Sequence, residues 1–303
     1  MYRVRKEPKR NGLRHTTMTR STSALVLIWM LVVAACGGGE VGQPDPVGGG
    51  TPTTEPSSPD IWGFEVPTNP DAVLLEWLSV GGFVPVEYNV GRAPRYVLTA
   101  GGELYSEGPT TLEYPGRQLV RFQKVQLNQA QMSAVLAAIS NTELVRVREG
   151  SNESANQTVA DADTSVFVLH HADGTTSRYS IYAFGLASGD DDVAEFQALA
   201  DAVEAGRGGE TSEAAIERLQ VVFSPSGPAE ELNTVLDWPF GDIAGAPEVF
   251  NDVRCFEISG DDLAAAVDLF GGANSATFYE SGGETWRALV RPLLANEEAC
   301  VVR

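Results

Sequence analysis

Five aspartates in two short runs could bind a cation: Asp161, Asp163, Asp190, Asp191 and Asp192. The first run begins like a calcium-binding loop, but Val166 stands where that loop has glycine, and Ala172 stands where it ends in glutamate. The second run opens a predicted helix, where carboxylates cap free N–H groups and complement the helix dipole. We interpret both runs as turn and capping residues, with a weak calcium site as the alternative. We predict no metal and no cofactor.

Histidine, the usual general base near neutral pH, occurs twice beyond the N-terminal segment, as His170 and His171. Adjacent residues of a β-strand point to opposite faces of the sheet. Unless a bulge intervenes, the two imidazoles should therefore not serve one site. The sequence also lacks the spacings typical of serine hydrolases, zinc peptidases, dithiol enzymes and P-loop proteins. We assign no catalytic residue.

The N-terminal segment has the composition of an export signal. Residues 1–23 contain seven basic residues and one acidic residue, and an unbroken apolar run follows over 24–35. As a helix this run would rise about 18 Å, too short for a hydrocarbon core of about 30 Å. We therefore predict a secretory signal peptide over 1–35 rather than a membrane-spanning helix. Met18 would be a more usual start than Met1, and the predicted anchor is retained with either start.

The end of the apolar run, Val33-Ala34-Ala35-Cys36, resembles the lipobox of bacterial lipoproteins. In such proteins the cysteine receives a diacylglycerol, and cleavage then makes it the first residue of the mature chain. The resemblance implies that Cys36 carries acyl chains such as palmitate and anchors the chain to the outer, extracytoplasmic face of the cell membrane. A secretory signal with a cysteine nearby by chance is the alternative.

Cys255 and Cys300 are the cysteines beyond the predicted anchor. An even pair in an exported protein predicts a disulfide, which here would tie a strand to the end of the chain. Closing a loop of about 46 residues stabilises a fold by roughly 4 kcal/mol in the chain-entropy model. Two buried free thiols are the alternative.

The charge balance argues against nucleic acid as a partner. The first 35 residues hold seven of the 21 basic residues and one of the 41 acidic residues, so residues 36–303 carry 14 and 40. The resulting net charge of about −26 opposes binding to nucleic acid, which needs clustered Lys and Arg. We interpret the charge as favouring solubility, with a cationic partner as the alternative.

Composition also divides the rest of the chain. Residues 36–60 hold the anchor cysteine and a Gly-, Pro-, Ser- and Thr-rich stretch with hardly an apolar side chain, which predicts a flexible tether. Two small α+β domains are expected beyond it, at 61–207 and 212–303. The polar, Gly-rich stretch between these domains predicts an exposed boundary that proteases can cut.

Turn, cap and periodicity signals give the order ββαββα in the first predicted domain. Hairpins are expected across 100–102 and across 173–174, where Asp-Gly is a strong hairpin signal. Helices are expected after Asn128, which has the spacing of a capping box, and from Asp191. We predict an α+β fold in which antiparallel strands carry the helices on one face.

The second predicted domain partly repeats this pattern. A strand over 255–258, a helix capped by Ser259 and a hairpin across 281–283 follow one another. An internal duplication and chance similarity of pattern are both open interpretations.

Aromatic residues could also form a binding surface. Trp62, Trp77, Trp238 and Trp286 could build a platform on which sugars stack, but two small cores need such residues, so we favour packing. The loop over 81–85 carries an aromatic residue and is a possible binding feature.

Several segments from about residue 70 onwards resemble uncharacterised surface lipoproteins of high-GC Gram-positive bacteria, a group that includes actinobacteria. They are GGFVPVEY (81–88), YPG (114–116), SVFVLHHADGTTSRYSIYAFG (165–185) and SGGETWRALVRPLLANEEAC (281–300). These segments are turns, hairpins and a cysteine, so the resemblance implies a fold and a location rather than a reaction.

The anchor, the tether and the missing catalytic motifs together predict a non-catalytic lipoprotein that binds a protein or a cell-wall component. The alternative is an envelope hydrolase in which two carboxylates from different loops meet in a cleft. A cleft with converging carboxylates would favour the enzyme, and an exposed apolar patch without a cleft would favour binding.

Overall fold

The computed structural model describes residues 62–110, 112–152, 159–186, 191–226, 234–294 and 297–301. All of them belong to one compact unit. The predicted signal peptide, Cys36 and the tether lie outside the described residues. So do Asp190 and the side chains of Asp191 and Asp192.

The fold is α+β, as the sequence predicts, with two sheets and four α-helices in the part of the chain that the structure describes. The first sheet has eight strands in the order β5-β7-β6-β1-β2-β3-β4-β8. Its strands are β1 (Val73–Gly81), β2 (Tyr96–Thr99), β3 (Glu103–Glu107), β4 (Phe122–Gln126), β5 (Glu149–Asn152), β6 (Asp163–His170), β7 (Thr176–Tyr182) and β8 (Thr211–Glu213). The helices of this half are α1 (Val86–Gly91), α2 (Gln129–Ser140) and α3 (Asp191–Gly206).

The two hairpins of the first sheet form where the turn residues predict them. Strands β2 and β3 are antiparallel, with Tyr96 paired to Ser106. Strands β6 and β7 are joined by a turn in which the Asp173 carboxylate accepts a hydrogen bond from the Thr175 N–H at 2.9 Å. Gly174 has a φ of +80° in this turn, a conformation that strains any residue with a Cβ.

Helix α2 begins with the predicted capping box. The Asn128 side chain accepts a hydrogen bond from the Gln131 N–H at 3.0 Å, and the Gln131 side chain accepts one from the Asn128 N–H at 2.9 Å. Val135 and Ile139 are fully buried on the apolar face of this helix. Helix α3 packs beside α2 and buries Phe196, so the two helices cover one face of the first sheet.

The second sheet has six strands in the order β10-β13-β14-β9-β12-β11. They are β9 (Arg218–Pro225), β10 (Thr234–Asp237), β11 (Glu248–Phe250), β12 (Val253–Ser259), β13 (Thr277–Ser281) and β14 (Glu284–Pro292), and the helix of this half is α4 (Leu263–Gly272). Strand β9 lies at the centre and pairs with β12 and β14, both antiparallel. The expected hairpin of β13 and β14 is present.

The predicted N-cap of the last helix is wrong in one respect. Ser259 precedes a 3-10 turn, not the α-helix, and its side chain makes no capping hydrogen bond. Asp262 is the residue that precedes α4. The apolar spacing of the helix is unaffected, because Phe270 is fully buried.

Each sheet has its own core, and the tryptophans fill these cores. Trp77 is 2% exposed in the core of the first sheet, whereas Trp238 and Trp286 are 7% and 3% exposed in the core of the second. Trp62 packs on the first core from its edge. The four indoles therefore serve packing and form no common platform.

Segments of the first half also pack into the second sheet. Leu119, which lies between β3 and β4, is 4% exposed in the core of the second sheet. The buried Gln118 side chain donates to the Ala288 carbonyl at 3.1 Å. At the end of α1, the Gln220 side chain of β9 donates to the Val90 carbonyl at 2.8 Å. The two sheets are therefore joined by buried contacts.

The stretch over 207–212 leads into the short edge strand β8, which pairs with β4 of the first sheet. Strands β9 and β12 pair within the second sheet, as a C-terminal domain requires. Division into separable domains at this stretch stays a prediction.

The structure contains the predicted disulfide between Cys255 and Cys300, with an S–S distance of 2.04 Å. It ties β12 to the C-terminal segment. The Cys300 N–H also donates to the Gln220 side chain at 2.7 Å, so the disulfide holds this segment to β12 and a hydrogen bond holds it to β9. None of the described helices is both long and apolar enough to cross a bilayer.

Candidate functional site

A cavity of about 380 Å³ lies where the start of β1, the β6–β7 turn and the C-terminal segment meet. We call it the histidine cavity. Part of its wall is apolar and is formed by Pro67, Val73, Pro94, Val97 and Leu294. Its polar wall includes Glu76, His170, His171 and Glu297.

Glu76 and His170 come together because of the strand register. Glu76 of β1 is paired with Val168 of β6, so His170 lies two residues further along β6 on the same face. The Glu76 Oε1 and His170 Nε2 atoms are 2.8 Å apart, and the side chains are 19% and 30% exposed. This face is opposite to the one that α2 and α3 cover.

His171 lines the same cavity, contrary to the expectation from strand alternation. Strand β6 ends at His170, so His171 belongs to the turn, where alternation between faces no longer applies. Its Nε2 atom lies 2.7 Å from the Ser177 hydroxyl. Burial lowers the pKa of the His171 imidazole, and the nearby Arg148 guanidinium lowers it further, so both effects favour the neutral ring.

Glu297 reaches the cavity from the C-terminal segment. Its carboxylate lies 2.8 Å from the Arg291 guanidinium, in a pair whose side chains are 9% and 2% exposed respectively. It also accepts a hydrogen bond from the Leu294 N–H at 3.0 Å. Both carboxylates of the wall are thus already held, Glu76 by a histidine and Glu297 by an arginine.

The predicted acidic residues are placed elsewhere. Asp163 accepts a hydrogen bond from the Ser79 hydroxyl and lies 3.9 Å from Arg92, while Asp161 is an exposed residue with a φ of +61°. Among the described residues, no three His, Cys, Asp or Glu side chains are grouped so that they could hold a metal ion.

Sequence reasoning missed Glu76 and Glu297 as site residues. Glu76 is an acidic residue in an otherwise largely apolar strand, and Glu297 lies in a segment without periodicity. No local spacing links Glu76 to its partner His170, because 94 residues separate them in sequence. An unexplained charge inside an apolar strand was the signal that could have identified Glu76.

The histidine cavity has the properties of a small-molecule site, because an apolar wall surrounds a few fixed polar groups. When the Glu76 carboxylate accepts from the Nε2–H of His170, it fixes the tautomer and leaves Nδ1 as an acceptor. The wall therefore presents acceptors together with apolar surface. This combination suits a ligand that carries hydroxyl or amide donors on an apolar frame.

Comparison of the chain with protein-family models, with curated proteins and with solved structures finds no match.

Proposed function

We propose that this chain is a lipoprotein, anchored through Cys36 to the outer face of the cell membrane, whose folded part binds a small cell-wall component in the histidine cavity. The observation that carries the binding role is the cavity of about 380 Å³ with the Glu76–His170 pair in its wall. The location is supported by the export signal and the lipobox-like sequence described above.

Several properties favour binding as the role of the cavity. Its volume falls within the range of roughly 300–1,000 Å³ that is typical of ligand pockets. The Glu76–His170 pair and the Arg291–Glu297 pair hold its polar groups in place before a ligand arrives. Preorganised groups lose less conformational entropy on binding, so a fixed wall raises affinity.

The anchor is tested by replacing the modified residue. Cys36→Ala should abolish incorporation of labelled fatty acid and prevent cleavage at this position, because the thiol is the acyl acceptor. Labelled palmitate supplied to growing cells, followed by immunoprecipitation, measures this directly. Cys300→Ala serves as the control, since it removes a cysteine outside the signal. Label retained in the Cys36→Ala protein would disprove the anchor.

The cavity is tested with soluble peptidoglycan fragments as the probe. Saturation-transfer NMR should show the fragments binding to the folded chain, and Glu76→Gln and His170→Gln should weaken binding at least tenfold. Glu143→Gln is a matched control, because Glu143 is a half-buried carboxylate that pairs with Arg146 and does not line the cavity. Equal binding by all three variants, or no binding by the unmodified protein, would refute the proposal.

An envelope hydrolase is the second candidate, favoured by one observation. Glu76 and Glu297 come from different elements and line the same cavity next to a histidine, an arrangement that can activate a water molecule. If the chain is a hydrolase, peptidoglycan fragments incubated with it should show new cleavage products by mass spectrometry. Glu76→Gln should abolish these products. If the fragments bind to the unmodified protein but are not cleaved, the hydrolase candidate is wrong and binding is the function.

A further inference from the structure

A second cavity, of about 250 Å³, lies between α1, the segment after β3, and β14. Four arginines line it: Arg92, Arg117, Arg287 and Arg291. They are four of the 13 arginines in residues 36–303, a part of the chain in which acidic residues far outnumber basic ones. We call it the arginine cavity. It shares no wall residue with the histidine cavity.

Two of these guanidinium groups carry charge that no carboxylate balances within the described residues. Arg291 pairs with Glu297 at 2.8 Å, and Arg92 lies 3.9 Å from Asp163. Arg287 donates to the Tyr88 hydroxyl at 3.3 Å, and neither Arg287 nor Arg117 forms an ion pair in the described part of the chain. The cavity wall is therefore positive in a strongly acidic protein.

Buried contacts fix the segments that carry these arginines. Arg287 lies in β14, where it is paired with Ser224 of the central strand. Arg117 forms an isolated β-bridge with Asn274. Its neighbour Gln118 is anchored by buried hydrogen bonds to both the Ala288 carbonyl and the Tyr279 hydroxyl. The guanidinium groups thus converge from different segments on a preformed space.

The rest of the wall indicates what kind of anion would fit. Val120, Ala288 and Leu289 give it an apolar part, next to the guanidinium groups. A guanidinium group binds carboxylate and phosphate oxygens through paired N–H donors. Arg287 is half-buried, which strengthens this attraction, whereas Arg117 is exposed. A small anion with an apolar portion would therefore match the wall better than an inorganic ion.

We propose that the arginine cavity binds a small organic anion, with a carboxylate or phosphate group held between Arg117 and Arg287. Glu107 is the acidic residue of the wall and competes with the ligand. Burial raises the pKa of the Glu107 carboxyl, against the opposing effect of Arg92, so loss of its proton costs more than in water. The proposal does not depend on the function of the histidine cavity.

Phenyl phosphate is a suitable probe, because it combines a phosphate with an apolar ring. Isothermal titration of the folded chain should show saturable binding at one site that weakens with added salt, as expected for charge pairing. Arg117→Gln and Arg287→Gln should each weaken it about tenfold. Arg146→Gln, which changes an exposed arginine outside the cavity, should leave the affinity unchanged.

Glu107→Gln distinguishes a binding role from a structural one. Removing the competing carboxylate should tighten phenyl phosphate binding several-fold, a result that general loosening of the fold would not produce. Circular dichroism verifies that each variant is folded. Unchanged affinity in both arginine variants, weaker binding by Glu107→Gln, or no saturable binding by the unmodified protein would each overturn the proposal.

Discussion

The buried ion pair between Arg291 and Glu297 links the two cavities at the scale of single residues. Arg291 lines the arginine cavity, whereas Glu297 lines the histidine cavity. With side chains 2% and 9% exposed, neither group can be compensated by bulk water if its partner is removed. An isolated charge in such a place is far more costly than a pair.

Glu297→Gln should therefore lower the free energy of unfolding by about 3 kcal/mol, the lower end of the cost of breaking a buried pair. Glu257→Gln is the matched control, because Glu257 pairs with Arg218 and the two side chains are 36% and 29% exposed respectively. Exposed pairs contribute about 0–1 kcal/mol. Urea denaturation of both variants measures the difference. Equal losses would show that burial does not set the strength of the Arg291 pair.

Single residues also show where sequence reasoning stops. The Cys255–Cys300 pairing could be predicted, since the two cysteines beyond the predicted anchor leave one intramolecular choice. The sequence does not predict the two cavities. Their walls, which include Glu76, Glu297 and four arginines, form by packing between segments that are far apart in the chain. The amino-acid composition alone does not show which arginine side chains lie close together in the folded chain.

At the scale of elements, the sequence predicted correctly those helix ends and turns that depend on interactions between nearby residues. The capping box of α2 and the turn between β6 and β7 depend on residues within a few positions of each other. Strands β5 and β10 instead pair in parallel with β7 and β13, and these partners come from distant parts of the chain. Short strands of this kind carry little pattern of their own.

Asn128→Ala should lower the free energy of unfolding by about 1 kcal/mol, because it leaves the Gln131 N–H without its side-chain acceptor. The Asn128 side chain accepts from the Gln131 N–H at 3.0 Å, so the loss is specific to the cap. Ser133→Ala, an exposed change inside the same helix, should not destabilise, since alanine is the better helix former. Thermal denaturation of both variants separates the loss of the capping hydrogen bond from a change in helix propensity. Similar melting temperatures of the two variants would contradict a stabilising role for the capping box.

At the scale of the molecule, the segment between β3 and β4 joins the halves. Leu119 fills the core of the second sheet although it leads into β4 of the first. Its isolated β-bridge with Val290 and the hydrogen bonds of Gln118 add to this contact. The segment lacks periodicity, so its part in completing a distant core could not be predicted from the sequence. The stretch predicted as a boundary, 207–212, is exposed, and division into separable domains there stays a prediction.

Protease cleavage after Arg207 should consequently leave two fragments that stay associated under native conditions. Size-exclusion chromatography of the nicked chain should give one peak with both fragments. Leu119→Ala should weaken that association, since loss of a buried leucine side chain costs about 2–5 kcal/mol. Leu112→Ala in the same segment is the control, because Leu112 is fully exposed. Separate elution of the fragments from the unmodified sequence would instead show that the stretch divides two independent domains, each held by its own core.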